Sequence, residues 1–598
     1  MHTFRELKRA ARQDCSMFPS VKMALAGDTA TPLLATALRG EASLRNVDLQ
    51  IQETDYGSDE RELLLPDSNL RKFDAEYVVV YRSAHKFAAR HAMLQPERQA
   101  RAAEEELDFY DKLLSEDYYS RRTIIAINCP MTDDGIWGTL AASVPASLPN
   151  QIRRLNLGLQ QRAENHANFI VCDLDALQAQ MGRGQIMDEA VYATTELELS
   201  LLALPLLAER IINAVTVRRG VLRKVLIADL DNTLWGGIVS EDGISGLQIG
   251  HSLGIGRAYA DIQRWIKKLV ARGIILCIAS KNDEPIAREA FAQHPDMILR
   301  IDDVAVFIAN WQTKADNILH ISQVLNISTD QMVFIDDNPF ERGMVRKGVP
   351  GICVPELPED PALWVDFLSS QHLFETATHS VADAQRNIQY RQEAARRATR
   401  SQFQGEDEYL ASLQMKATVE GLTPFNTPRA AQLTQRSNQF NLRTRRYTEA
   451  ELQSLGENTT DFTVLCFSLA DDYGKQGLIS IVVLERLDID TVFIDTWLMS
   501  CRVLQRGMEH FVANTIVETA KRKGFKHIAA EYIPTAKNAM VANLLPAHDF
   551  KPAPVCSREA KNAHAKRSTP TAVAYTLDVE AYTPQPCYIK KEDTNPTT

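Results

Sequence analysis

The sequence predicts a multidomain α/β protein: two parallel-sheet units in succession, then an α+β unit. Three observations lead there. The chain has 598 residues, more than one core organises, so about three or four domains are expected. Short apolar runs alternate twice with amphipathic or charged stretches, the βα rhythm of parallel sheets. After Leu413 that rhythm gives way to consecutive strands and one long helix.

Residues 1–20 read as a polar amphipathic helix, with Arg and Lys where a secretory leader needs an apolar run. The first unit spans 21–220. It opens with a strand running into a turn, Met23-Ala-Leu-Ala-Gly-Asp-Thr29, and further strands are expected at 77–81, 123–127 and 169–172. Charged residues at 99–114 and apolar ones at 201–215 read as helices.

The second unit spans 221–375. Strands are expected at 225–228, 274–279, 297–301, 332–335 and 351–354. Ile262, Trp265, Ile266, Leu269 and Val270 recur at helical spacing, and Gly273 ends that helix. Residues 376–410 are polar and rich in Arg and Gln, and read as a helical linker. The third unit, 411–582, offers strands at 463–467, 477–485, 491–498 and 527–533. A loop at 499–507 opens a helix at 508–522. Residues 583–598, rich in Pro, Lys and Thr, read as a disordered tail.

A net charge of −11 argues against a broad basic face, so nucleic acid is not an expected partner. No apolar run is long enough to span a bilayer, so no membrane insertion is expected. The nine cysteines form no Cys-x-x-Cys pair, which suggests neither a zinc site nor a disulfide framework. A reducing cytoplasm is the expected compartment.

The chemistry concentrates in the second unit. The run Lys224-Val-Leu-Ile-Ala-Asp-Leu-Asp-Asn-Thr-Leu-Trp-Gly-Gly237 places Asp229 and Asp231 at the end of a buried strand, followed by Thr233. Alone, such a pair reads equally well as polar capping. Three more clusters sit at element ends: Ser280-Lys281-Asn282-Asp283, Lys314 within Asn310-Trp-Gln-Thr-Lys-Ala-Asp316, and Asp336-Asp337-Asn338. Together they offer carboxylates, a hydroxyl and an ammonium at one rim, where ligands of open α/β sheets collect.

Phosphoryl transfer wants this set, because it is mostly positioning and neutralisation of phosphate oxygens. Asp229 and Asp336 suit a Mg²⁺ that keeps its other positions for water and phosphate. An aspartate also serves as a covalent nucleophile, and Asp231 as the acid that protonates a leaving group and then activates water. Ser280 and Lys314 would hold phosphate oxygens, with Lys281 and Asn282 beside them. About fifty residues separate Asp231 from Ser280, reading as one loop and one helix. That leaves no room for a cap domain, and an uncapped site admits a bulky substrate.

These residues resemble the haloacid dehalogenase superfamily. With Ile335-Asp-Asp-Asn-Pro-Phe-Glu-Arg342, the extended signature is similar to its FkbH-like branch. The resemblance implies a Rossmann-like sheet without a cap, Asp229 as nucleophile and Asp231 as acid–base. It implies Mg²⁺ on Asp229, the main-chain carbonyl of Asp231, and Asp336, with Asp337 a water-mediated partner. Ser437-Asn-Gln-Phe-Asn-Leu-Arg-Thr-Arg-Arg-Tyr447 and Asp472-Tyr-Gly-Lys-Gln-Gly-Leu478 also resemble that family.

Asp495-Thr-Trp-Leu-Met-Ser-Cys-Arg-Val-Leu-Gln-Arg-Gly-Met-Glu509 resembles the cofactor loop of GNAT-type acyltransferases, where amides opening a helix hold a pyrophosphate or phosphopantetheine. Only Gly507 stands where the acetyltransferase pattern has two glycines, so acetyl-CoA is not expected. In this loop Cys501 lies near Arg502 and Arg506, cations that raise a thiolate fraction. A small buried residue at a strand end is the competing reading of Cys501. The FkbH-like resemblance implies an acyl-carrying cysteine and a glyceryl thioester made from 1,3-bisphosphoglycerate on the phosphopantetheine of an acyl carrier protein. Asn438, Asn441 and Arg445 are candidates for the acyl hydroxyls or that arm, or form a polar turn. Asn538 resembles the acyltransferase residue facing the thioester.

In the first unit, Gly27-Asp28-Thr29 resembles the first block of SGNH hydrolases, with Thr29 where they carry Ser. That implies a flavodoxin-like parallel sheet. A base oriented by a third group, which such a nucleophile needs, is not evident, although Asn128 resembles a further block. A docking or covering role is expected. Two alternatives to coupled phosphatase and acyl transfer stand: a plain phosphatase on a small phosphate ester, and an acyltransferase whose haloacid-dehalogenase-like unit only binds.

Overall fold

A computed structural model describes residues 2–250, 254–376, 388–392, 396, 405–500, 503–504, 506–535, 537–553 and 572–592. The chain divides into two compact units, Met1–Thr216 and Val217–Thr598.

The first unit holds a five-stranded, all-parallel sheet: β1 (Ser20–Gly27), β2 (Asp48–Glu53), β3 (Tyr77–Tyr81), β4 (Thr123–Ile127) and β5 (Phe169–Cys172), in the order β2-β1-β3-β4-β5. This is a doubly wound order, with a crevice expected where β1 and β3 diverge. β3 is buried on both faces, as a central parallel strand must be. The N-terminal helix, Phe4–Ala10, is not a separate element. Leu7 is fully buried in this core, and a Cβ on Gly40 would lie 2.2 Å from the Leu7 carbonyl oxygen. Glycine thus permits the helix Pro32–Leu44 to pack backbone to backbone against it.

The second unit contains two sheets. The first is parallel, in the order β8-β7-β6-β9, from β6 (Val225–Ala228), β7 (Ile275–Ser280), β8 (Val304–Ala309) and β9 (Met332–Ile335). Two expected strands are corrected. Residues 297–301 form no strand. Met297 and Leu299 are buried, but the amides of Ile298 and Leu299 donate to Gln263 Oε1 at 3.0 and 3.1 Å, which replaces a ladder. The strand is β8, seven residues on. Residues 351–354 contribute a single bridge, Val333 to Cys353.

The other sheet has eight strands: β10 (Lys416–Glu420), β11 (Phe462–Asp471), β12 (Gly474–Arg486), β13 (Thr491–Met499), β14 (His527–Tyr532), β15 (Lys551–Pro552), β16 (Val573–Asp578) and β17 (Lys590–Lys591). Their order is β15-β16-β14-β13-β12-β11-β10-β17, and the sheet is mixed, with β13 parallel to β14 and β10 parallel to β17. The expected disordered tail is therefore structured as far as residue 592. Ile589 is buried, and the Lys590 and Glu592 amides donate to the carbonyls of Met415 and Ala417. Residues 593–598 lie outside the described residues. Most of the expected linker does too, but Tyr390 packs into the core beneath the parallel sheet, and buried Arg396 pairs with Asp471 at 2.8 Å. Its described parts belong to the folded unit. No helix among the described residues is long and apolar enough to cross a membrane.

Candidate active site

In the four-stranded sheet the order reverses between β6 and β9, and Asp229 and Asp336 each follow one of these strands directly. Register places Ala228 beside Ile335, so the two carboxylates emerge side by side. Lys314 is the first residue of the helix Lys314–Leu325, whose start Thr313 caps by accepting the Asp316 amide. Its Nζ lies 2.8 Å from Asp229 Oδ2 and 2.5 Å from Asp336 Oδ2. All three side chains are almost fully buried. A buried cation between two buried anions is stable because each offsets the desolvation of the others.

The site leaves one group unsatisfied. Asp229 Oδ1 is buried and takes no hydrogen bond among the described residues. Ligand oxygens of Asp229, Asp336 and Asp337 lie within 4.8 Å of one another. Hard oxygen donors, two of them on buried residues, with one acceptor of Asp229 left without a hydrogen bond among the described residues, fit a cation such as Mg²⁺. Burial, then the charge of Asp229, pushes Asp336 up to about 7 against the pull of Lys314. Burial and Asp229 raise Asp337 as well. Burial works against the Lys314 ammonium, but Asp229 and Asp336 outweigh it and raise its pKa.

Asp337 is held by Thr233, whose hydroxyl donates to its Oδ1 at 3.2 Å and accepts its amide at 3.0 Å. Asp336 Oδ1 accepts the Asn338 amide at 2.9 Å. Arg342 Nη1 donates to the main-chain carbonyls of Asp336 and Asp337, both at 2.7 Å. Arg342 lies in the quoted signature, yet no role for it was legible there.

The Asp231 side chain stands outside the carboxylate cluster. Its Oδ1 accepts from Trp235 Nε1 at 2.8 Å and the Val239 amide at 3.1 Å, and its Oδ2 from Asn282 Nδ2 at 2.8 Å. Burial raises its pKa, while Val239 and Trp235 pull it down. Asn282, expected on phosphate, is thus spent on Asp231. Lys281, expected beside it, pairs with Glu341 at 2.6 Å. Ser280 ends β7 and is buried. Between β6 and β7 the described residues form two short turns of helix and the helix Ile255–Ala271, and no cap domain.

Of the acyl-transfer candidates, Cys501 and Arg502 lie outside the described residues. Arg506 is buried against Asp471 at 3.2 Å. Asn438 donates to the Gly220 carbonyl at 2.9 Å and accepts from Arg446 at 2.5 Å. Asn441 Oδ1 accepts the Thr444 amide, and Arg445 pairs with Asp495 at 2.6 Å. Asn538 donates to the carbonyls of Asn441 and Ile533. These partners make all five parts of the framework.

In the first unit, Thr29 Oγ1 donates to the Glu196 carbonyl at 2.6 Å, and Asp28 Oδ1 accepts the Ser83 amide at 2.7 Å. Asn128 Oδ1 accepts the amides of Leu174 and Asp175. Near the end of β3, His85 lies between Glu198 at 2.9 Å and Glu189 at 2.7 Å and stacks on Tyr192.

Comparison with known proteins supplies the kinship. The model of the FkbH N-terminal domain matches residues 22–216. The N-terminal part of BF1531 from Bacteroides fragilis, a crystal structure containing a phosphatase domain complexed with Mg, is 45% identical. The match covers 63% of this chain and 100% of that one, with a TM-score of 0.62. A C-terminal segment is similar to the ribosomal-protein-S18-alanine N-acetyltransferase of Escherichia coli (14% identity, 27% of this chain and 94% of that one, TM-score 0.21). It is also similar to a GNAT family acetyltransferase of Elizabethkingia anophelis with acetyl-CoA bound (11% identity, 27% and 98%, TM-score 0.20). Likeness at this level says nothing about chemistry. No curated protein matches. With the Bacteroides relative matched over its whole length and the family model matched over the first unit, the chain belongs to the FkbH-like family.

Proposed function

We propose that this protein is a Mg²⁺-dependent phosphatase of the aspartyl-phosphate type, coupled to acyl transfer. It dephosphorylates a phosphoglycerate-type donor and loads a glyceryl-type acyl group as a thioester on an acyl carrier protein. The observation that carries the phosphatase reading is the convergence of Asp229, Lys314, Asp336 and Asp337, with Asp229 Oδ1 left open. The relative complexed with Mg, which contains a phosphatase domain, supports it.

Asp229, Asp336 and Asp337 would hold the cation, which supplies neutralising charge for the phosphate oxygens when bound. Asp229 is the nucleophile: its carboxylate takes the phosphoryl group, and hydrolysis returns it. Asp231 gives the proton that the leaving oxygen needs and later takes one from water. The Lys314 ammonium and the Ser280 hydroxyl bind phosphate oxygens and keep the group in line. With no cap domain between β6 and β7, the mouth admits a substrate larger than a free small phosphate.

Cys501 is the proposed acyl acceptor. An acyl phosphate is already activated toward a thiol, so the mixed anhydride at one end of 1,3-bisphosphoglycerate loads the cysteine while the phosphatase site removes the other phosphate. The test is intact mass spectrometry of the full chain after incubation with 1,3-bisphosphoglycerate and Mg²⁺. A glyceryl adduct that Cys501→Ser abolishes is expected. Phosphate release without any adduct selects the second reading, a plain phosphatase. The structural engagement of Asn438, Arg445 and Arg506 favours that second reading.

The raised Asp336 gives the metal-binding step a pH dependence. A carboxyl whose folded pKa lies above its unfolded value stabilises the fold at low pH and loses that contribution as pH climbs through about 7. Cation binding needs the carboxylate. Affinity for Mg²⁺ should therefore rise with pH and level off above about 7, with proton release on binding below that. Titration calorimetry in two buffers of different ionisation enthalpy measures the proton. An affinity flat from about pH 5.5 to 8 contradicts the expectation.

A further inference from the structure

We propose that Asn282 and Trp235 are positioning residues for Asp231, fixing its carboxyl so that Oδ2, and not Oδ1, gives and takes the proton. This rests on the acid–base role proposed for Asp231 above.

The two oxygens are unequal. Oδ1 accepts two N–H bonds, from Trp235 Nε1 at 2.8 Å and from the Val239 amide at 3.1 Å. Two donors fill its two lone-pair sites. Oδ2 accepts one bond among the described residues, from Asn282 Nδ2 at 2.8 Å, and keeps a lone pair for a proton. The Asn282 amide is itself oriented, because its Oδ1 accepts the Asp283 amide at 3.0 Å. Turning the amide over would lose that bond and place its oxygen against the carboxylate. Asn282 therefore presents N–H toward Asp231.

The clamp is rigid. Trp235 is fully buried, edge-on to Phe291 at 5.6 Å, and Asn282 is 2% exposed. Its parts come from two places: Trp235 from the loop after β6 and Val239 from the short helix Val239–Asp242 that follows it, Asn282 from the turn just after β7. A carboxyl on two free torsions would sample orientations in which its proton misses the leaving oxygen, and proton transfer falls off with misalignment.

The chemistry closes as follows. In the first step the bond between Asp229 and phosphorus forms, the bond from phosphorus to the leaving oxygen breaks, and the proton on Oδ2 passes to that oxygen. In the second, water attacks phosphorus and one of its protons passes to Oδ2. The bond between phosphorus and Asp229 then breaks, and inorganic phosphate leaves.

The test uses the full-length chain with Mg²⁺ and two probes, p-nitrophenyl phosphate and glycerol 2-phosphate. The aryl oxide leaves with little help from an acid, whereas the alkoxide needs the proton. The ratio kcat/KM reports the phosphoenzyme-forming step. Asn282→Ala should lower it about 30-fold on the alkyl phosphate and about 3-fold or less on the aryl one. Trp235→Phe, which keeps the packed ring and removes one donor, should act in the same sense by about 10-fold against about 2-fold, and carries the test if Asn282→Ala fails to fold. Equal losses on both probes mean that these residues serve only the fold or phosphate binding, and overturn the proposal alone. Phosphate release that survives Asp229→Asn overturns the phosphatase reading itself, and this proposal with it.

Discussion

Asp229→Asn will keep its fold and lose phosphate release by about 10³-fold or more, the scale seen when a covalent nucleophile is removed. The substitution is isosteric. An amide oxygen still accepts from Lys314, so the 2.8 Å contact survives, but an uncharged amide neither attacks phosphorus nor offers the open, negatively charged Oδ1 to a cation. Two measurements check this. Phosphate release on p-nitrophenyl phosphate should fall by that factor, and the acid-stable phosphoryl mass expected in rapidly quenched wild-type protein should be absent from the variant. A residual rate within about tenfold of wild type would place the nucleophile elsewhere and remove the aspartyl-phosphate route.

The second large effect concerns stability. Lys314→Met removes the ammonium that stands between two carboxylates that are themselves buried, Asp229 and Asp336. Breaking a buried ion pair by deleting one partner costs about 3–5 kcal/mol, because the remaining charge stays desolvated. Against a total domain stability of roughly 5–15 kcal/mol, that is a large fraction. The melting temperature of the second unit should fall by several degrees, and by less at acid pH, where Asp336 takes up a proton. Mg²⁺ should recover much of the loss by mass action, about 2.7 kcal/mol at one hundred times its Kd. Calorimetric melting with and without Mg²⁺ decides it. An unchanged melting temperature would mean that the lysine is not the counter-charge the contacts make it.

Much of the fold was legible because burial writes itself into sequence. A strand buried on both faces needs an unbroken apolar run, and the expected 225–228 coincides with β6, Val225–Ala228. The same rule misplaced the edge strand. Met297-Ile-Leu-Arg-Ile301 is as apolar as a strand, but its amides at Ile298 and Leu299 are satisfied by Gln263, a side chain more than thirty residues upstream. The tail misled for the opposite reason. Lys590 and Lys591 are exposed and polar, and their strand is held by main-chain bonds to residues near 416, which composition does not record.

The chain alone determined which side chains are chemically able to move a phosphoryl group, and that they stand at the ends of strands and helices. Those facts follow from local hydrophobic pattern and from the identity of the acids and the lysine. Tertiary structure decided what each acid pairs with: Asp229 and Asp336 meet on Lys314, while Asp231 is held by Trp235, Val239 and Asn282. It also took Lys281 to Glu341 and Asn438 to Gly220. The reason is range. Hydrogen bonds and buried ion pairs act over about 3–4 Å, and only the folded sheet brings residues dozens of positions apart within that reach.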